Sequence, residues 1–242
     1  MKEFIKILKS IDYSKNIYNV FADFVKLSAL SIANSVFFNQ AFEDEYLSIV
    51  KRYDDVEKFL QLFVMLTEKL ETNPFQDFLG ELYMNLGTYN KNTGQFFTPY
   101  HISKVMALCS FNEKILNKNG FLTMNESACG SGANIIALAE IIKDKGYNPS
   151  TSFLFKAQDL DEICVYMCYV QTSLIGLSGS VVLGNTLSDE NKKTLVTPMF
   201  FNKIWDLKHC EQQVKKIIEA FKILSKPQNQ YVYKQLNLDF KF

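Results

Sequence analysis

The segment Glu126-Ser127-Ala128-Cys129-Gly130-Ser131-Gly132-Ala133-Asn134 joins a carboxylate, a thiol and two closely spaced glycines. Gly130 and Gly132 would let the backbone pass close to a ligand. A helix opening here would offer free N–H groups and the positive end of its dipole, which suit a carboxylate or a phosphate. A Gly-x-Gly turn after a strand is also a common structural turn, and the pattern alone leaves both readings open. Asp159 is the second candidate. It ends the next β-prone run, where an acidic residue can accept hydrogen bonds from two ribose hydroxyls. The other role open to Asp159 or Asp161 is that of a helix cap. At this separation the glycine turn and the acid support each other.

These residues need a strand, a turn and a helix to position them, and the flanking pattern supplies that order. FLTMN (121–125) is β-prone and precedes the turn. A helix follows with Ile135, Ile136, Leu138, Ala139, Ile141 and Ile142 on its apolar side. SFLFKAQ (152–158) reads as a second strand, Asp161 as the cap of a helix to about Gly176, and SVVLG (180–184) as a third strand. Alternating strands and helices predict an α/β fold with a parallel sheet and right-handed connections. Residues 1 to 90 read as helical, with apolar residues at three- and four-residue steps from Val56 to Leu70. Asn73 and Pro74 read as the start of another helix, and Pro99 as the start of one from His101 to Leu108. The expected domains are therefore a helical segment, 1–90, and an α/β domain, 91–242. A last helix is expected over Glu211–Leu224, and the tail YVYKQLNLDFKF reads as a strand.

Composition narrows the classes. The 242-residue chain is 48% hydrophobic and 21% charged, which fits a globular domain with a core rather than a disordered chain. Its 26 basic and 26 acidic residues balance, so the basic excess of a protein that grips DNA unaided is missing. The first residues lack the apolar core of a signal peptide, and the apolar stretch 21–38 is broken by polar residues, so no membrane span is expected. The five cysteines form no disulfide framework, which points to a reducing, cytoplasmic setting. Cys164 and Cys168 share a helix face, but no further ligands lie nearby in sequence and no metal site is expected. Cys129 reads as a packed thiol, and His101 is assigned no role.

GQFFTP (94–99), ESACGSG (126–132), QDLD (158–161) and GNTL (184–187) stand in the order found in the methylase subunits of type I restriction–modification systems, and the chain resembles that adenine-N6 DNA methyltransferase family. DFLGELY (77–83) is similar to the segment that joins the family's helical N-terminal domain to its core. The likeness runs over about residues 75 to 200. It implies a Rossmann-like S-adenosylmethionine (SAM)-dependent methyltransferase fold, a doubly wound sheet, here truncated, after an N-terminal helical domain. It also implies a set of roles. Gln95, Phe96, Phe97 and Thr98 would line the methionine side of SAM. Glu126, Ala128, Gly130, Ser131 and Gly132 would hold its amino-acid portion. Asp159, followed by Leu160, would bind the ribose, and Asn185 would lie beside the adenine. Plain core packing is the other reading of Phe96 and Phe97.

The chain also departs from the family. Glu126 and Ser127 replace Asp and Pro, and Asn185 replaces Asp. The family's catalytic Asn-Pro-Pro-Phe/Tyr, which accepts hydrogen bonds from the target amine and stacks on a flipped base, is absent. The nearest match in place is Thr197-Pro198-Met199-Phe200, the expected degenerate catalytic motif; a plain strand-to-loop turn is its other reading. Losing the Asn oxygen is expected to cost roughly a thousandfold or more in rate, by analogy with deleting one preorganised polar group. Two functions are therefore expected side by side. One is a SAM-binding adenine-N6 methyltransferase of reduced or partner-dependent activity, with a partner subunit supplying the DNA contacts. The other is a pseudo-enzyme that acts by protein–protein contact in or against a restriction–modification complex. Methylation of a substrate other than nucleic acid is a third reading, for which no residue speaks. A truncated sheet leaves an edge and an apolar face to be covered, so a homodimer or a protein partner is expected.

Overall fold

The computed structural model describes residues 1–87 and 97–224 of the chain. Residues 1–202 form one compact unit and 203–242 a second. In the first unit, five helices come first: α1 (Lys2–Ile11), α2 (Ile17–Val36), α3 (Gln40–Val50), α4 (Glu57–Thr72) and α5 (Phe78–Asn85). They are followed by α6 (Tyr100–Ser110), α7 (Glu113–Asn119), β1 (Leu122–Glu126), α8 (Ala133–Asp144), α9 (Pro149–Ser152), β2 (Phe153–Asp159), α10 (Glu162–Leu174), β3 (Ser178–Leu183) and β4 (Lys193–Val196). The described part of the second unit is α11 (Ile204–Leu224), which starts earlier than its apolar stripe suggests. Its Val214, Ile217 and Ile218 are exposed. The tail read as a strand lies outside the described residues.

The strands form one sheet in the order β1-β2-β3-β4. β1, β2 and β3 are parallel, and α8 and α10 make the two crossovers. The α/β class and the Rossmann-like strand–helix alternation are as expected. The strand order never reverses, so both right-handed crossovers fall on the same face of the sheet. Burial follows. Phe153, Phe155, Ala157 and Val181 point to the helices and are fully enclosed, whereas Thr123, Asn125, Lys156 and Thr194 on the other face are exposed. These residues make one half of a doubly wound sheet.

β4 runs antiparallel to β3, Leu195 opposite Val181 and Lys193 opposite Leu183. The reason is the connection. Asn185 and Glu190 exchange backbone hydrogen bonds of 3.1 and 3.0 Å, closing residues 184–192 into a hairpin. A parallel return needs a crossover of about a dozen residues or more. Gly184 has no side chain to spare here, because a Cβ would overlap the Glu190 carbonyl oxygen.

α8 and α10 are buried along nearly their whole lengths. α8 lies between the sheet and α6, and α10 between the sheet and α2. A single apolar core therefore runs from Phe4, Phe24 and Leu66 in the N-terminal helices through Tyr169 to Phe155 and Val181 in the sheet. Asn73 ends α4 rather than starting a helix. The cap of α5 is Asp77, whose carboxylate accepts the Gly80 N–H at 3.1 Å.

Candidate functional site

The carboxyl ends of β1, β2 and β3 converge. Glu126 ends β1 and leads into the turn Ser127–Gly132, and Asp159 ends β2. The Gly184 N–H after β3 donates to the Asp159 carbonyl at 3.0 Å, and the Thr186 hydroxyl reaches back to the Ser127 carbonyl at 2.8 Å. Glu126, Ala128, Gly130, Gly132, Asp159, Leu160 and Asn185 thus share one end of the sheet.

The turn needs its glycines. Gly130 has φ +51° and Gly132 φ +97°, and a Cβ on Gly132 would lie 3.1 Å from the Cys168 sulfur. The second value lies in a region that side-chain-bearing residues rarely enter. The Cys129 N–H donates to the Gln158 carbonyl at 2.9 Å and the Gly130 N–H to Asp159 Oδ2 at 2.8 Å, which tie the turn to β2. Gly132 caps α8 without a side-chain bond. Among the described residues, the N–H groups of Ser131, Ala133 and Asn134 have no protein acceptor. With Phe97, Thr98 and Ala128 these residues line an open cavity of about 80 Å³. Phe97 stacks on Tyr83 at 5.4 Å and 23°, and its ring would lie 3.3 Å from a Cβ on Gly130, so it covers the glycine. Thr98 is exposed; Gln95 and Phe96 lie outside the described residues.

Asp159 holds more than one group. Besides Gly130 it accepts the Asp161 N–H at 3.0 Å on its other oxygen, while Asp161 caps α10 through the Ile163 N–H. Cap and site residue are therefore neighbours with separate tasks. Burial pushes the Asp159 carboxyl above its ordinary range, against the pull of these N–H groups. Glu126 accepts from the Asn134 amide at 3.1 Å, and Leu160 is 69% exposed beside the acid. The Asn185 side-chain oxygen accepts the Leu187 N–H at 2.9 Å. Cys129 is buried, and its contact with Cys168 together with burial raises its thiol well above the ordinary range, so it is a packed group and not a nucleophile.

Two placements differ from the sequence reading. Ser131 turns its hydroxyl inward, donating to Asp77 Oδ2 at 2.6 Å, so only its backbone faces the cavity. Thr197-Pro198-Met199-Phe200 is not brought to the site. Thr197 is fully buried beside Gly179, near the start of β3; its hydroxyl accepts the Gly179 N–H at 3.0 Å and its own N–H donates to the Gly179 carbonyl. From Gly179 to Gly184 the strand climbs about 3.3 Å per residue, which puts the carboxyl edge that carries the glycine turn about 16 Å away along β3, at the opposite end of the sheet. A short turn of 3₁₀ helix, Pro198–Phe201, continues from Thr197, with Phe200 and Phe201 exposed. The antiparallel course of β4 is the cause: its carboxyl end lies where β3 begins.

Sequence reasoning missed Asp77 and Gln171. Gln171, 0% exposed on α10, donates through Nε2 to Asp77 Oδ1 at 3.0 Å and to the Ser131 carbonyl at 2.9 Å, and its oxygen accepts the Leu79 N–H at 2.9 Å. A polar residue amid the apolar run of α10 was the available signal. A second cavity, of about 400 Å³, lies along the outer edge of β1 between α6 and α7, lined by Met106, Ile115, Leu122 and Met124 and sharing Glu126 and Asn134 with the turn. Ser103 Oγ and Asn134 Oδ1 are buried there, with no hydrogen-bond partner among the described residues.

A glycine turn between a parallel strand and a helix, with an acid ending the next strand, stands at the carboxyl edge of the sheet of this α/β protein. Residues 75–239, more than half of the chain, match the N-6 DNA Methylase family model, and the chain belongs to that family. It is a methyltransferase-like protein. It is similar in structure to a protein of Listeria monocytogenes described as a class I S-adenosylmethionine-dependent methyltransferase (15% identity, TM-score 0.41, covering 75% of this chain and 52% of that one). It is also similar to the methyltransferase subunit of a type I restriction–modification system from Streptococcus thermophilus (15% identity, TM-score 0.39, 79% and 58%). The chain thus spans little more than half the length of either. No curated protein matches it. No described helix is long and apolar enough to cross a membrane.

Proposed function

We propose that the chain binds S-adenosylmethionine at the glycine turn as the cofactor-holding part of an adenine-N6 DNA methyltransferase. The observation that carries this reading is the charge pattern of the site. Free N–H groups of Ser131, Ala133 and Asn134 suit a carboxylate. The acids around them, Glu126 and Asp159, suit an ammonium, a sulfonium and ribose hydroxyls. Among the described residues, no lysine or arginine lines the cavity at the turn, and a phosphate-bearing ligand finds no counter-charge in that lining. The residues fit an amino-acid end within the 80 Å³ cavity, since whole ligand pockets take about 300–1,000 Å³. The remainder would lie over Asp159, Leu160 and Asn185. Bound there, the group supplies an electrophilic methyl; the chain's residues orient it and exclude water from one side.

Thr197, buried about 16 Å away by strand rise, does not enter this reading as a catalytic residue. Methyl transfer then requires acceptor-binding groups from elsewhere, and a protein partner along the outer edge of β1 is where they would come from. Among the described residues the outer edge of β1 is unpaired, and such edges recruit further strands; the 400 Å³ cavity there adjoins Glu126 and Asn134. The second reading, an inactive homologue working by protein contact alone, is favoured by the same placement of Thr197. Calorimetric titration with SAM tests the first step: micromolar binding, about −8 kcal/mol, that is weakened in Asp159→Ala supports the pocket, and no binding overturns it. Transfer of labelled methyl groups to adenine-containing DNA, by the chain alone and with co-purifying proteins, separates the two readings.

A further inference from the structure

We propose that Asp77 and Gln171 are positioning residues for the glycine turn, fixing Ser131 from inside the protein so that the free N–H groups beside it are presented to the ligand. The inference rests on the reading of the turn as a SAM subsite and adds what sets the turn's shape. Ser131 is 1% exposed although its neighbours line an open cavity. Its hydroxyl goes to Asp77 at 2.6 Å and its carbonyl receives Gln171 at 2.9 Å, so both leave the ligand side. The same two side chains hold the first turn of α5, through Gly80 N–H to Asp77 and Leu79 N–H to Gln171. Turn, α5 and α10 thus meet on one polar node inside an apolar core.

An ordinary helix cap does not account for it. α2, α3 and α7 are capped by Asn16, Asn39 and Asn112, none of them buried. Asp77 is 3% exposed, and its described hydrogen-bond partners are neutral donors: Ser131, Gly80 and Gln171. Burial pushes its carboxyl above the ordinary range, so the ionised group is kept at a cost. Gly80 is part of the arrangement, since a Cβ there would overlap Asp77 Oδ2 and Ser131 Oγ. A buried carboxylate spanning two segments that are 54 residues apart fits a device that sets their relation better than one that ends a helix.

The test joins affinity to local protection, with S-adenosylhomocysteine as the probe. Asp77→Ala is expected to weaken binding at least about tenfold. It is also expected to speed amide exchange in a peptide spanning 127–136 while peptides from α1 to α4 keep wild-type rates. Asp77→Asn keeps the shape and an acceptor, and should bind within about threefold of wild type. If Asp77→Ala does not fold, Ser131→Ala, which removes only the hydroxyl, carries the same expectation. Wild-type affinity and exchange in these variants would overturn the proposal, and so would exchange accelerated evenly along the chain, the mark of a merely structural residue. If the wild type itself fails to bind, the cofactor reading falls, and local exchange at 127–136 still decides whether Asp77 sets the turn.

Discussion

Replacing Thr197 by valine separates a catalytic role for this residue from a structural one. Valine keeps the branched shape and removes the hydroxyl that accepts the Gly179 N–H at 3.0 Å. Thr197 is 0% exposed, so water cannot replace the lost partner. Leaving a buried donor unpaired costs about 1–3 kcal/mol. For a domain of this size each kcal/mol lowers the melting temperature by about 2–4 °C, so a fall of about 2–12 °C is expected. Cofactor affinity should be unchanged, because the site is about 16 Å away along β3 and sites more than about 7–10 Å apart with no shared partners act independently. The assay is thermal denaturation followed by calorimetric titration well below the transition. A tenfold loss of affinity or of methyl transfer with an unchanged melting temperature would refute the reasoning and return Thr197 to the ligand.

Other changes test the site itself. Asp159→Ala removes the acceptor of the Gly130 and Asp161 N–H groups and the proposed partner of the ribose; hydrogen bonds to charged groups contribute about 1.5–3 kcal/mol, so titration should show about a 10- to 150-fold loss. Gly132→Ala places a Cβ at φ +97° and 3.1 Å from the Cys168 sulfur; strain of about 1–3 kcal/mol should appear in denaturant midpoints together with lost binding. Asp77 carries a pH prediction. Its carboxyl pKa is raised by burial, so the folded state holds the proton more tightly than the unfolded one. Its favourable contribution is complete below the ordinary carboxylate range and is lost as pH rises through the folded value. The stability of Asp77→Asn relative to wild type should therefore climb with pH across that window and then level off, as denaturation at a series of pH values would register; a flat difference contradicts the shift. A thiol titration should find Cys109 and Cys210 reacting at once and Cys129, Cys164 and Cys168 only on unfolding.

Much of the site was legible because it is local. The glycines of 130–132 answer to backbone angles within three residues, Asp159 to the end of its own strand, and the helix after Gly132 to an apolar run that continues through Ile142. Such features are set by neighbours in the chain, and sequence exposes them directly. The separation of the turn and the acid pointed to one shared site, and the resemblance of residues 184–187 to a family motif added Asn185 to it.

The tertiary structure alone decided the rest. Ser131 looks from sequence like a ligand contact, but its hydroxyl belongs to Asp77, 54 residues earlier, and its carbonyl to Gln171, 40 residues later. β4 is four residues long, and its apolar content does not say which strand it joins or in which direction. The hairpin between Asn185 and Glu190 settles that, and it carries Thr197 to the start of β3 instead of the glycine turn. Chain connectivity had one clue to offer, a link too short for a crossover. Pairing and burial otherwise depend on contacts between distant residues, where many partners are equally apolar and only the packed whole selects among them.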